Sequence, residues 1–488
     1  VLTSRGLGDV YKRQGSSNNI TNLTNSIVTG QSQVITNGSN ITALGNQNEI
    51  SDEISSLISG NLNEVKNGDN NTVFGSKNEL NNNNDSLVNG EENIVKNTTE
   101  SVVFGNSNVK TNTINSLVSG KGNSEENGHY NTVFGQNNKV VDSSSNLISG
   151  IDNDVSNNRF SGIIGNTHNL ISSDQVFTTG YNNTMTNSLQ SSSFGYENIG
   201  NNSTRTILSG YTNSDQQGQN NFLTGFGNQT TSSINTITGG KQNISNTDNQ
   251  SVLLGQLNQS SNSTNIMVMG KSNTVAQLDK STVFGDENNA TTAKTSMIVG
   301  KTNIISSGES NFVLGSENNT TTDLNSIVSG KKNTTVNLKN SIISGEENNI
   351  DNANHSIIGG LTNVINNNSG VNIVGKDNEI DDNEYSSVIG IENNVDVNKQ
   401  IGIFGYKNVA TNNQNTLITG SENNINLAFN SIVSGNENKL DNTLNISVFG
   451  EGNDVSGNTK YSIIAGRYNN EYNGCLLYTS DAADDCRC

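Results

Sequence analysis

The chain has 488 residues, of which 30% are hydrophobic and 49 are glycine, with no proline and no tryptophan. A formal net charge of −19 argues against a nucleic-acid partner, which requires a basic face. No run of 18 apolar residues offers a transmembrane helix, and no signal peptide is visible.

From the N-terminus, residues 1–14 include Ser4-Arg5-Gly6-Leu7-Gly8-Asp9-Val10-Tyr11-Lys12-Arg13-Gln14, which resembles a translated transposon-type sequencing adapter. Residues 15–29 are rich in Asn, Ser and Thr and begin a partial coil. From Gly30 a glycine recurs every fifteen residues to Gly450, and Gly466 follows after sixteen. Of these 30 glycines, 28 are followed three residues later by asparagine; the exceptions are Gln33 and His168. Low hydrophobicity and abundant Asn also mark disordered chains, but a disordered tract has no reason to keep register. A strict short period predicts a solenoid, one elongated all-β module of about thirty 15-residue coils. At the C-terminus, Cys475-Leu476-Leu477-Tyr478-Thr479-Ser480-Asp481-Ala482-Ala483-Asp484 resembles the opposite adapter read through. The expected organisation is therefore a scar over 1–14, repeats over 15–474 and a scar over 475–488, the whole being a piece of a longer frame. Cys475, Cys486 and Cys488 all fall in the second scar, so no disulfide framework is expected.

Each coil reads as two short strands joined by tight turns. The first ends at the glycine, as in Ser116-Leu117-Val118-Ser119-Gly120 and Asn131-Thr132-Val133-Phe134-Gly135. Two residues before the glycine, 27 of 30 coils are apolar, as at Val73, Val118, Val133 and Val328. The second strand follows the asparagine and carries Val65 and Leu80 five residues after Gly60 and Gly75. Strand side chains alternate between faces, so these two columns are expected to fill the coil. Gly60, Gly75, Gly120, Gly135, Gly330 and Gly345 are expected in backbone conformations closed to other residues, or at close approaches between coils. Asn63, Asn78, Asn123, Asn138, Asn333 and Asn348 are expected to stack as a hydrogen-bonded ladder, since a carboxamide can bond to neighbours above and below. A ligand array would not need asparagine on every coil.

The opposite face of the first strand is apolar too. Leu57, Leu87, Leu117, Leu147 and Ile207 precede their glycines by three; Phe74, Phe104, Phe134, Phe194, Phe284 and Phe404 precede theirs by one. Bulk changes sides on alternate coils, a thirty-residue double repeat that lapses at Phe449. A continuous apolar ridge should not face water, and is expected to meet copies of itself in an oligomer. Gly200, Asp215, Thr230, Ser245 and Ser260 replace the second apolar column on consecutive coils, as Lys110 and Glu125 do earlier. The middle stretch is therefore expected to have a looser core.

No catalytic or metal constellation emerges, and no cofactor is expected. His129, His168 and His355 lie on distant coils. Gly270-Lys271-Ser272 imitates the end of a P-loop, but Asn265 stands where its first glycine belongs. Glu317, Lys332 and Glu347 share a column in which charge ladders can form on a solvated face.

Three copies, Asn115-Ser116-Leu117-Val118-Ser119-Gly120, Asn325-Ser326-Ile327-Val328-Ser329-Gly330 and Asn340-Ser341-Ile342-Ile343-Ser344-Gly345, resemble the N-S-V-A-I-G-x-x-S/N repeat of YadA-like trimeric autotransporter adhesin heads. The paired double repeat resembles that family's haemagglutinin-like repeats. The coil here is fifteen residues where the family commonly has fourteen, and an apolar residue or Ser stands at its usual Ala. The resemblance implies a left-handed parallel β-roll of three chains wound side by side. It also implies an extracellular position on a bacterial outer membrane, with a coiled-coil stalk and β-barrel anchor outside residues 25–474. Its partners would be host matrix proteins, cells or other bacteria, bound multivalently. The rival readings are a structural spacer such as a phage tail fibre or surface-layer element, an ice-binding solenoid, for which the Thr pattern is too irregular, and a glycan-degrading β-helix, for which no carboxylate cluster is evident.

Overall fold

The computed structural model describes residues 12–472. The two expected adapter segments and the three cysteines lie outside them, except Lys12–Gln14, whose backbone pairs in parallel with Ile27–Thr29. The chain divides into two units, Val1–Thr247 and Asp248–Cys488. Each is a parallel β-solenoid. Together they carry about thirty coils and, among the described residues, no helix.

A coil has three sides, not two. In the first unit, Leu57–Asn61 is a five-residue strand paired in parallel with Thr72–Ser76 of the next coil. The second side is Glu79–Asn81, which joins Glu64 to Lys66 below and Ile94–Lys96 above. The third side is a column of single parallel bridges, Asp69 to Asn84, Thr99, Ile114 and His129. The second unit repeats the plan with Ile327–Lys331, Thr334–Val336 and the bridge from Leu324 to Lys339. Sequence reading missed the third side because its residues share backbone pairing and no recurring side-chain type, although Arg159 and Asp174, and Lys399 and Glu384, pair there as ions at 3.8 and 3.3 Å.

The corners explain part of the asparagine content. Beside the repeat glycine, three corner residues per coil take left-handed backbone angles, and most of them are not glycine, as at Leu62 (φ 59°), Asn67 (56°) and Asn70 (54°). Asn tolerates this region better than other side chains. The corner amides are bonded to the coil before, Leu62 N to Asn46 O at 3.0 Å and Asn70 N to Ile54 O at 2.8 Å. Exposed corner carboxamides also chain together, Asn82 to Asn97, Asn97 to Asn112 and Asn112 to Asn127, each at 3.0 Å.

Five side chains point inward per coil, and more than half are polar. Between Gly75 and Gly90 they are Asn78, Leu80, Asn83, Ser86 and Val88; between Gly330 and Gly345 they are Asn333, Thr335, Leu338, Ser341 and Ile343. Val65, Val73, Val118, Val133 and Val328 are likewise buried. Such an interior is tolerable only when its polar groups are bonded. Asn83 shows how: Nδ2 donates to Val95 O at 2.7 Å, and Oδ1 accepts from Thr98 N and Oγ1, both at 2.9 Å.

Glycine and asparagine act as one device. At Gly60 (φ 134°) a Cβ would stand 1.7 Å from the carbonyl oxygen of Gly75. Asn63 Nδ2 donates to that same oxygen at 2.9 Å, and to Asn48 Oδ1 at 3.1 Å. Its own Oδ1 accepts from Asn78 N at 3.1 Å and Asn78 Nδ2 at 3.0 Å. Two donors and two acceptor sites are thereby filled. Asn123, Asn138, Asn333 and Asn348 repeat the pattern onto Gly135, Gly150, Gly345 and Gly360.

The two exceptions substitute for asparagine unequally. His168 is buried. Its Nδ1 accepts from Asn183 N at 3.2 Å, so Nε2, 3.3 Å from Ile164 O, carries the proton. Burial holds its pKa below the ordinary histidine value. Gln33 reaches Gly45 O through Nε2 at 2.5 Å, but its Oε1 is buried without a hydrogen-bond partner.

In the middle stretch the buried apolar clusters leave a gap between Leu223 and Leu253, in line with the looser core expected, but two of the replaced positions are filled in other ways. Gly200 is filled from below, since a Cβ there would meet Met185 Sδ at 2.7 Å. Asp215 Oδ1 accepts from Thr230 Oγ1 and from Asn221 Nδ2 at 2.9 Å, while Oδ2 accepts from Thr206 Oγ1 at 3.1 Å. Part of the apolar column is thus replaced by hydrogen bonds, while the buried hydroxyls of Ser260 and of the inward Thr178, Ser193 and Thr238 have no hydrogen-bond partner.

Gly75→Ala should destabilise the first unit by at least about 1–3 kcal/mol, the scale of one strained backbone site, because its Cβ would lie 1.9 Å from Gly90 O. Chemical denaturation checks this; an unchanged midpoint would contradict it. A second prediction concerns Asp323, buried and accepting from Thr335 Oγ1 at 2.6 Å and Leu338 N at 2.9 Å. Desolvation raises its pKa from 3.8 to about 6. A raised folded-state value favours folding below the unfolded pKa, and that contribution is lost as pH rises through about 6. Asp323→Asn should therefore gain stability over the parent from pH 4 to pH 7, by up to about 3 kcal/mol at 1.36 kcal/mol per pKa unit. A difference independent of pH would contradict the assignment.

Candidate functional site

With the interior given largely to packing and the coil edges to backbone ladders, contact with a partner is left to the outward faces. The long strands offer the most distinctive one. Residues three and one before each glycine, and the residue after it, point away from the core because strand side chains alternate.

In the first unit the register stacks Leu57, Thr72, Leu87, Val102, Leu117 and Thr132 in one column. It stacks Ser59, Phe74, Asn89, Phe104, Ser119 and Phe134 in the adjacent one. Large and small residues thus alternate along each column and oppose each other across the strand. Phe74 is 38% and Phe134 39% exposed, and Leu117 is half-buried. At Gly162 the small position is covered from the next coil, where Phe177 Cδ2 lies 2.7 Å from the point a Cβ would occupy. Phe177 in turn packs at 5.8 Å and 55° against Phe194. The second unit carries the same face through Met267, Phe284, Met297, Phe312, Ile327 and Ile342.

A further feature lies beside these columns on the residue after the glycine. Tyr181, Tyr196, Tyr211 and Phe226 stack ring on ring, with centroids 5.1, 4.7 and 5.1 Å apart and interplanar angles of 13°, 2° and 5°. Lys241 Nζ closes the stack 5.9 Å above the Phe226 ring. The β-ladder spacing, roughly 4.8 Å, sets these separations, and the left-handed corner that follows each ring holds the column straight. Tyr181, Tyr211 and Phe226 remain 43%, 41% and 42% exposed, while Tyr196 is half-buried. The Glu197 carboxylate beside Tyr196 holds that phenol above its usual pKa. Asn182, Thr184, Glu197, Ile199 and Thr212 line a shallow groove around the next corner of the same coils. The ladder offers a ribbon of ring edges and a row of phenol hydroxyls, next to an apolar face and a polar groove. Tyrosine and phenylalanine exposed together in this way suit contact with a partner surface, because each ring brings apolar area at low entropic loss.

Sequence reading singled out the two apolar columns but not this ladder. The signal was present, since four aromatic residues recur at fifteen-residue spacing after Gly180, Gly195, Gly210 and Gly225. The charge column it singled out contains an ion pair, Lys332 Nζ to Glu347 Oε1 at 3.1 Å, in which both partners are about half exposed. Such pairs contribute little to stability. His129, His168 and His355 are not brought together: His129 is a third-side bridge, His168 a ladder residue and His355 a corner. Among the described residues no group of three His, Cys, Asp or Glu is placed to hold a metal ion. Compared with known proteins, the chain matches no family model and no curated sequence.

Tyr211→Ala removes the ring shared by two stacked pairs. It should abolish most of the near-ultraviolet circular dichroism of the tyrosine stack and destabilise the first unit by about 1 kcal/mol. Unchanged near-ultraviolet spectra would show that the rings do not stack in solution.

Proposed function

We propose that the chain is the head region of a bacterial surface adhesin, acting as a homotrimer that binds host cells, extracellular matrix or other bacteria. Three left-handed rolls pack along their long-strand faces and leave the remaining faces for attachment. The observation that carries this reading is the outward apolar face of the long strands in each unit, which in the first unit alternates large and small side chains. Such a face is matched by a surface with the same rise per coil and the same two-coil rhythm, and another copy of this chain has both. The likeness of Asn115–Gly120 and its sister copies to the adhesin-head repeat supports the same assembly. Binding strength then comes from number, since many similar coils on three chains raise avidity without one strong site.

The alternative is a structural spacer without adhesive role, which shares the solenoid and the self-packing face. Binding separates the two. The purified chain should bind cultured cells or immobilised matrix proteins, with binding that falls steeply when the assembly is broken. An assembly that binds no cell, matrix or bacterial surface would leave the spacer.

The assembly has its own test. Sedimentation should give three times the chain mass. Phe104→Lys with Phe134→Lys, which places two charges in the self-packing column, should dissociate it while far-ultraviolet circular dichroism stays unchanged. A parent that sediments as a folded monomer would overturn the trimer.

A further inference from the structure

One buried cluster in the first unit has no part in packing or attachment. Lys110 and Glu125 occupy the inward column between Val95 and Val140. Both are fully excluded from solvent, with Nζ 3.7 Å from Oε2. Lys110 Nζ also donates to Ser116 O. Glu125 Oε1 accepts from Asn131 Nδ2 at 2.9 Å, while its Oε2 has no hydrogen-bond partner. One carboxyl group therefore lies between an amine and a carboxamide.

The surroundings suit a reaction between those two groups. Asn131 is buried, and its Oδ1 accepts from Asn146 N at 3.0 Å and Asn146 Nδ2 at 3.2 Å. Two donors on a carbonyl oxygen polarise its carbon and are already placed to hold an oxyanion. Space comes from Gly128, where a Cβ would lie 2.3 Å from Glu125 Oε1 and 2.7 Å from Asn131 Nδ2. Burial disfavours both charges. It lowers the pKa of Lys110 from 10.5 to about 8 and raises that of Glu125. The neutral amine is the nucleophilic form, and a protonated carboxyl group can donate to a leaving nitrogen.

We propose that Lys110 and Asn131 join in an intramolecular isopeptide bond, with Glu125 as the proton shuttle. Nζ of Lys110 bonds to Cγ of Asn131, and the Asn131 C–N bond breaks. Glu125 takes a proton from Nζ and delivers one to Nδ2, which departs as ammonia. Charge and electrons balance, and no co-reactant is needed. The product ties neighbouring coils covalently. The role of Glu125 is catalytic, because it touches both reacting groups.

The same geometry elsewhere lacks the nucleophile. Glu53 beside Asn71 and Asp215 beside Asn221 also sit against glycines, Gly68 and Gly218. Their recorded partners are hydroxyls and amides, with no buried lysine among them.

Intact-mass spectrometry with peptide mapping of the whole chain, folded and held at pH 8, decides the matter. The expected parent is lighter by one ammonia, with the Lys110 and Asn131 peptides recovered as one branched species. Lys110→Met and Glu125→Gln should each keep full mass and yield linear peptides, with far-ultraviolet circular dichroism confirming that they fold. A parent of full mass with both peptides linear would overturn the bond. Ammonia loss mapped to a linear peptide, as from a succinimide at Asn127-Gly128, would overturn it equally. A branched species that persists in folded Glu125→Gln would overturn the shuttle. The parent map alone settles the bond, so that result does not depend on how the variants fold.

Discussion

The structure depends on one contact: the carbonyl of each repeat glycine stands where the side chain of the preceding repeat glycine would be. Gly60 has no Cβ, Gly75 O fills the place, and Asn63 Nδ2 is aimed at that oxygen. Neither residue can change without the other losing its purpose. A side chain at the glycine would drive the coils apart, and another residue at the asparagine would leave a carbonyl or an amide unbonded in the interior. His168 uses both ring nitrogens, accepting from Asn183 N and donating to Ile164 O; Gln33 reaches Gly45 O but leaves its Oε1 unbonded.

This couple permits an interior that would otherwise be too polar. A coil with two or three inward apolar side chains gains little from burial, so its inward Asn, Ser and Thr must be bonded from coil to coil. Once that scaffold exists, unusual groups can enter it. Buried carboxylates occur beside an inward Asn and a glycine that makes room, as with Glu125, Asn131 and Gly128, or Asp215, Asn221 and Gly218. Desolvation raises the pKa of Glu125 and lowers that of Lys110, which is the condition for the amine and amide chemistry inferred there.

Much of this was legible in the sequence, and the rest was hidden for physical reasons. The period gave the parallel solenoid, because only stacked coils keep one register over so many copies. Alternation separated inward Val73 and Val65 from outward Phe74 and Leu117. The third side was not legible, since Asp69, Asn84, Thr99 and Ile114 share a backbone ladder and no side-chain type. Nor was the order of the middle coils: Gly200 looks like a gap until Met185 is seen to fill it, and Asp215 looks like a fault until its three donors are placed. The tyrosine ladder left a plain periodic trace, but its meaning lies in ring planes that only coordinates supply.

The most direct measurement is hydrogen exchange of side-chain carboxamides, followed by nuclear magnetic resonance on isotope-labelled chain. Asn63, Asn78, Asn123 and the other ladder asparagines should hold their Nδ2 protons as long as the backbone amides of the strands they bridge. Exposed corner residues such as Asn82 and Asn97 should exchange far sooner. If ladder and corner carboxamides exchange alike, the glycine–asparagine couple does not hold the coils together, and the account built on it fails.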